Sequence, residues 1–152
     1  MQLTKRQFVA ASAGAVAAVS AGTLVSPASA KVPGEVEKLI SDFAGGKEVK
    51  EGKISLSTPE IAENGNTVPV GVEVESPMTE ADHVTDVMLL ADGNPRAGVA
   101  TFHFTPMSGE ASATTRIRLA STQNVVAVAK MSDGSVYTAK SLVKVTIGGC
   151  GG

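Results

Sequence analysis

The sequence predicts a mainly β protein: an immunoglobulin-like antiparallel β-sandwich with a short N-terminal helix and a flexible C-terminal Gly-Gly-Cys-Gly-Gly arm. Three observations carry that prediction. From Gly52 onward apolar residues recur at period two, with turn signals about every 8–12 residues, the rhythm of a sandwich. One short stretch before Gly52 has helical period instead. After Ile147 the chain is only glycine and one cysteine. The expected organisation is an export signal over residues 1–30, a helix plus sandwich over 31–147, and an arm over 148–152.

Residues 1–30 contain no Asp or Glu, and their only charges are Lys5 and Arg6. An Ala- and Val-rich run from Phe8 to Val25 leads to Ala28-Ser29-Ala30. A charged start, an apolar middle and small residues at the end make a cleavable signal peptide, which places the mature N-terminus at Lys31. A transmembrane anchor is the competing reading, and Ser12, Gly14, Ser20, Gly22 and Thr23 dilute the run against it. The segment Thr4-Lys5-Arg6-Gln7-Phe8-Val9 resembles a twin-arginine export signal with Lys in place of the first Arg, the general export route being the alternative. Removing the leader leaves 122 residues with 11 basic and 15 acidic side chains, a formal charge of −4. That length suits one domain able to bury a core without disulfides or metals. With no basic run or polybasic tail, nucleic acid and anionic membrane are not expected partners.

Pro33-Gly34-Glu35 opens the helix. Val36, Leu39, Ile40 and Phe43 fall at i, i+3, i+4 and i+7 and share a face, and Gly45-Gly46 is a stop signal. So short a helix is unstable alone, so its stripe must pack on the following domain or on a partner. Strand readings follow in order. Ile54 and Leu56 alternate with serines; Glu63-Asn64-Gly65-Asn66 is a turn; Val68, Val70, Val72 and Val74 alternate. Pro69 cannot donate to a ladder and marks an edge or a bulge. Residues 84–90 read as the third strand and 98–104 as the fourth. Residues 116–119 follow, with Arg116 and Arg118 facing outward. Residues 125–129 and 136–139 flank Ser132-Asp133-Gly134-Ser135, a hairpin signal. Leu142, Val143, Val145 and Ile147 form the last strand, for about eight strands in all.

Cys150 is the only cysteine. A packing cysteine sits inside a periodic segment, and an intrachain disulfide needs a second thiol. Gly148, Gly149, Gly151 and Gly152 have no Cβ and form a thin tether. Five residues reach about 16–18 Å when extended, enough to enter another protein's cleft. In an oxidising compartment a lone thiol implies a reaction outside its own chain. A free thiol near pKa ~8.5 is only slightly ionised at neutral pH, and no basic residue lies in the arm. The activating groups are therefore expected from a partner.

The other chemistry-bearing residues point nowhere specific. His103 lies between Phe102 and Phe104 and is expected to face outward. His83, with Glu80 and Asp82, reads as a solvated loop. Two histidines and one tail cysteine fall short of a zinc set. No nucleophile elbow, phosphate loop or paired-cysteine motif is present. Arg116 and Arg118 read as solubility or partner residues, with an anionic substrate as the other reading.

The ending Val145-Thr146-Ile147-Gly148-Gly149-Cys150-Gly151-Gly152 resembles that of the SoxY family of sulfur carriers. The resemblance extends through Asn94-Pro95, residues 115–120, Thr122-Gln123 and Ser132-Asp133-Gly134. It implies an immunoglobulin-like fold, a periplasmic location and no catalysis by the chain itself. Cys150 would carry covalent sulfur adducts, S-thiosulfonate and persulfide, with no other cofactor and no metal. Implied partners are a SoxZ subunit in a heterodimer or heterotetramer, the c-type cytochrome SoxAX, the manganese hydrolase SoxB and the sulfur dehydrogenase SoxCD. Two rivals stand beside it. One is a structural β-sandwich dimerising through a Cys150 disulfide. The other is a ubiquitin-like sulfur carrier activated at its terminal Gly-Gly, against which the leader argues.

Overall fold

The structure, a computed structural model, describes residues 34–149. The leader, the cleavage site and residues 150–152, Cys150 among them, lie outside the described residues. Helix α1 spans Glu35–Ala44. Nine strands follow: β1 Val49–Glu51, β2 Ile54–Ser57, β3 Ile61–Asn64, β4 Val68–Val74, β5 Val84–Ala91, β6 Gly98–His103, β7 Ala111–Ile117, β8 Gln123–Met131 and β9 Val136–Ile147.

Two sheets face each other. The larger runs β1-β9-β8-β5-β6 with β3 also on β9, and the smaller runs β2-β4-β7. Val68, Val70, Val72 and Val74 from the small sheet meet Val87, Leu89, Val125, Ala127 and Val143 from the large one in the principal core. The outer face of the large sheet is apolar too. Met88, Leu90, Val126, Val128 and Val136 lie under Val36, Leu39, Ile40 and Phe43 of α1. This explains why residues 84–91 read as a continuous apolar run rather than an alternation: β5 is covered on both faces. The helical stripe therefore packs on its own domain. Lys130 adds to that contact, its ammonium 4.5 Å from the centre of the Phe43 ring.

Three details correct the expectation of an eight-stranded, wholly antiparallel sandwich. β1 and β3 each pair with β9 in parallel. These are short edge segments, and a single long strand offers them one edge in succession. Residues 136–147 form one twelve-residue strand rather than two. Lys140 lies on the outer face, exposed where the cover of α1 ends, and Ser141 lies on the inner face, its hydroxyl 2.7 Å from that of Thr58. β7 ends at Ile117, so Arg118 and Leu119 lie in the loop beyond it, with Leu119 fully buried. Pro69 sits at a local edge as expected: β2 pairs with residues 71–74 of β4, leaving Pro69 paired only with Arg116 of β7.

Candidate functional site

Every feature that bears on the tail gathers at the end of the sandwich where β9 finishes. Registers Asn64↔Ile147, Gln123↔Val143, Ala91↔Val125, Leu90↔Gly98 and Val68↔Ile117 bring four connections to this pole. They are the 64–67 turn, the 92–97 turn, the 118–122 loop and residues 148–149.

Three of these connections are closed into a ring by backbone hydrogen bonds. Gly65 N–H donates to Ile147 O at 2.7 Å, Leu119 N–H to Gly65 O at 2.8 Å, and Gly149 N–H to Leu119 O at 2.9 Å. The ring is so tight that side chains are excluded from it. A Cβ on Gly65 would strike Leu119 O and come within 2.7 Å of Gly149 N. A Cβ on Gly148 would strike Ala120 O, and one on Gly149 would lie 2.7 Å from Gly65 O. Gly149 is buried. Gly148 and Gly149 are thus glycine because backbones approach closely there, and neither has a positive φ. These two glycines are thus held to the domain.

Beneath the ring lies a node of two buried amides. Asn94 and Gln123 are 3% and 4% exposed. Asn94 Nδ2 donates to Arg118 O at 2.8 Å, and Ala120 N–H donates to Asn94 Oδ1 at 2.9 Å. Gln123 Nε2 donates to Asn94 Oδ1 at 2.9 Å and to Ser121 O at 3.0 Å. Gln123 Oε1 accepts from Gly93 N–H at 2.7 Å. Buried amides left unpaired are costly, and here the two pair with each other, with Gly93 and with one loop. That loop, 118–121, is the one that receives Gly148 and Gly149. Val145 N–H also donates to Thr122 Oγ1 at 2.9 Å, tying the loop to β9 just before the tail. Sequence reading singled out Asn94-Pro95 and Thr122-Gln123 without a role. The structure makes them the footing of the cysteine-bearing tail.

Both histidines lie at the opposite pole. His103 pairs across strands with Asp86, Nδ1 to Oδ1 2.5 Å, and is exposed as expected. His83 Nδ1 contacts Thr79 O at 2.9 Å. Among the described residues no three His, Cys, Asp or Glu side chains group as metal ligands, and no helix is long and apolar enough to cross a membrane.

Comparison with known proteins completes the picture. Residues 40–150 match the family model of sulfur oxidation protein SoxY. The solved sulfur carrier protein SoxY from Chlorobium limicola f thiosulfatophilum is 32% identical, with 76% of this chain and all of that one covered at a TM-score of 0.64. Superoxide reductases (neelaredoxins) share the fold alone. That of Ignicoccus hospitalis is 19% identical over 62% of this chain and 80% of its own, TM-score 0.56. A putative one from Thermotoga maritima is 20% identical over 68% and 90%, TM-score 0.53. Among curated protein sequences there is no significant match. A family match running from the helix through Cys150, joined to a solved relative covered along its whole length, places this chain in the SoxY family of sulfur oxidation proteins.

Proposed function

We propose that the chain is a covalent carrier of sulfur intermediates in thiosulfate oxidation, with Cys150 as the attachment point. The observation that supports this best is the pole itself: a rigid ring of glycines ends one residue before the only thiol. Such a mount fixes where the chain leaves the domain, one residue before the thiol. In the loading step the Cys150 thiol and thiosulfate join through a new sulfur–sulfur bond, giving an S-thiosulfonate. One proton and two electrons leave, the electrons to a c-type cytochrome of the SoxAX kind. Later steps on the adduct belong to a SoxB-type manganese hydrolase and a SoxCD-type sulfur dehydrogenase. The chain contributes position rather than catalysis, because the described residues bring no imidazole or carboxylate cluster to this pole. Processing after Ala30 and a periplasmic location belong to the same reading.

A SoxZ-type subunit completes the proposed carrier. Ile61 and Leu142 are 59% and 54% exposed on the outer face of β3 and β9, beyond the cover of α1. An apolar surface on β3 and β9, set back from the root of the tail, suits a second subunit that leaves the thiol free.

The carrier reading is tested by Cys150→Ser in a reconstituted thiosulfate-oxidising system. A hydroxyl cannot form the sulfur–sulfur bond, so thiosulfate-dependent electron transfer is expected to disappear. Native protein should carry reductant-labile mass on its C-terminal peptide. Normal turnover by the serine variant would reject the assignment.

A further inference from the structure

The described residues contain three arginines, Arg96, Arg116 and Arg118, and all three stand at the pole where the chain runs out toward Cys150. The described lysines lie on α1, on the strands and in the connections flanking β1. Arg96 and Arg118, with Asn94, Gly98 and Val99, line an open hollow of about 260 Å³. Both arginines are exposed, and neither forms an ion pair among the described residues. The neighbouring acid is occupied elsewhere: Asp92 accepts from Asn124 N–H at 2.9 Å and from Asn124 Nδ2 at 2.8 Å, one bond to each carboxylate oxygen. Two guanidinium groups without a counter-ion among the described residues, on a chain of net negative charge, leave the hollow a positive spot. The buried Asn94 adds a polar floor, since an amide nitrogen carries two donors and only one is spent, on Arg118 O.

We propose that the Arg96–Arg118 hollow binds a sulfur oxyanion. Guanidinium is suited to it because a planar fork meets two oxygens of one anion, which an ammonium cannot do. Arg118 is also fixed relative to the tail. Its carbonyl is held by Asn94 on one side, and the next residue, Leu119, accepts from Gly149 on the other. Cys150 follows Gly149 by a single Cα step of about 3.8 Å. Two sources can supply the anion: the terminal sulfonate of a group carried on Cys150, which rests on the carrier reading, or free sulfate or thiosulfate.

The test separates these sources by the arginine Nε–H signals in nuclear magnetic resonance. One sample is loaded with tetrathionate: the Cys150 thiolate displaces thiosulfate, leaving a sulfonate-ended adduct on the sulfur, and is then desalted and verified by intact mass. A second sample has Cys150 capped by iodoacetamide, which is neutral, and is titrated with sulfate. Shifts of Arg96 and Arg118 in the loaded sample, absent from the capped one before sulfate, identify the carried group as the ligand. Shifts that arise only on titration identify a free oxyanion. In either case Arg118→Gln should weaken the response read at Arg96 at least about tenfold, and Arg118→Lys, which keeps the charge, should restore only part of it. No arginine shift in either sample, with the adduct confirmed by mass, overturns the site. If the adduct does not form, the carrier reading fails, while the sulfate titration still decides the hollow.

Discussion

At the scale of single residues, glycine means two different things in this chain. Gly45 and Gly46 take positive φ and end α1, an ordinary helix stop. Gly65, Gly148 and Gly149 are glycine because carbonyl oxygens of neighbouring segments occupy the space of a Cβ. Gly65→Ala is therefore expected to force Leu119 and Gly149 apart and lower stability by about 1–3 kcal/mol, the usual cost of overpacking. Denaturant unfolding of variant and parent measures it. The Asn94–Gln123 node makes a second expectation. Asn94→Ala leaves Arg118 O, Ala120 N–H and the Gln123 amide short of a partner, at about 1–3 kcal/mol. Hydrogen exchange should rise first at Leu119, Ala120 and Gly149, since these amides depend on the loop that Asn94 holds. Uniform acceleration across β5 and β8 instead would mean the node supports only global stability.

At the scale of elements, α1 shows how packing settles what periodicity leaves open. Its stripe was bound to be buried, and the outer face of β5, β8 and β9 buries it. Phe43→Ala removes ring contacts and the Lys130 ammonium's aromatic partner, a loss of about 1–3 kcal/mol. The exchange rates of α1 amides should rise in the isolated chain, with its oligomeric state unchanged, because the stripe faces this domain. β9 shows the converse. Its first half is covered by α1 and its second half, from Leu142 on, is bare outside. One strand thus serves the core, the helix and an exposed apolar face in turn.

At the scale of the molecule, the sandwich acts as a mount. Core side chains from both sheets hold the strand ends rigidly, and the tail root inherits that rigidity through the glycine ring. The exposed Ile61 and Leu142 set the expectation for assembly. Ile61→Asp with Leu142→Asp should leave the fold intact, because both side chains are more than half exposed. The same pair should abolish co-elution with a SoxZ-type subunit in size-exclusion chromatography. An unchanged complex would place the interface elsewhere.

The sequence by itself determined the β-sandwich, the helix and the distinctiveness of Cys150, because each is written in local pattern: period two, period 3.6, and a thiol among glycines. Pro69 at an edge and His103 facing outward were readable for the same reason, a proline's missing donor and the alternation of a strand. Tertiary structure alone decided the rest. Parallel pairing of β1 and β3 with β9 depends on contacts far apart in the chain, which alternation does not encode. The grouping of Arg96 with Arg118, and of Gly65 with Gly149, likewise joins residues from different connections. Glycine near the tail reads as freedom in a sequence, where only neighbours along the chain are visible. In the folded protein Gly148 and Gly149 are held, because the neighbours that matter are the carbonyls of Ala120 and Gly65 brought in from other loops.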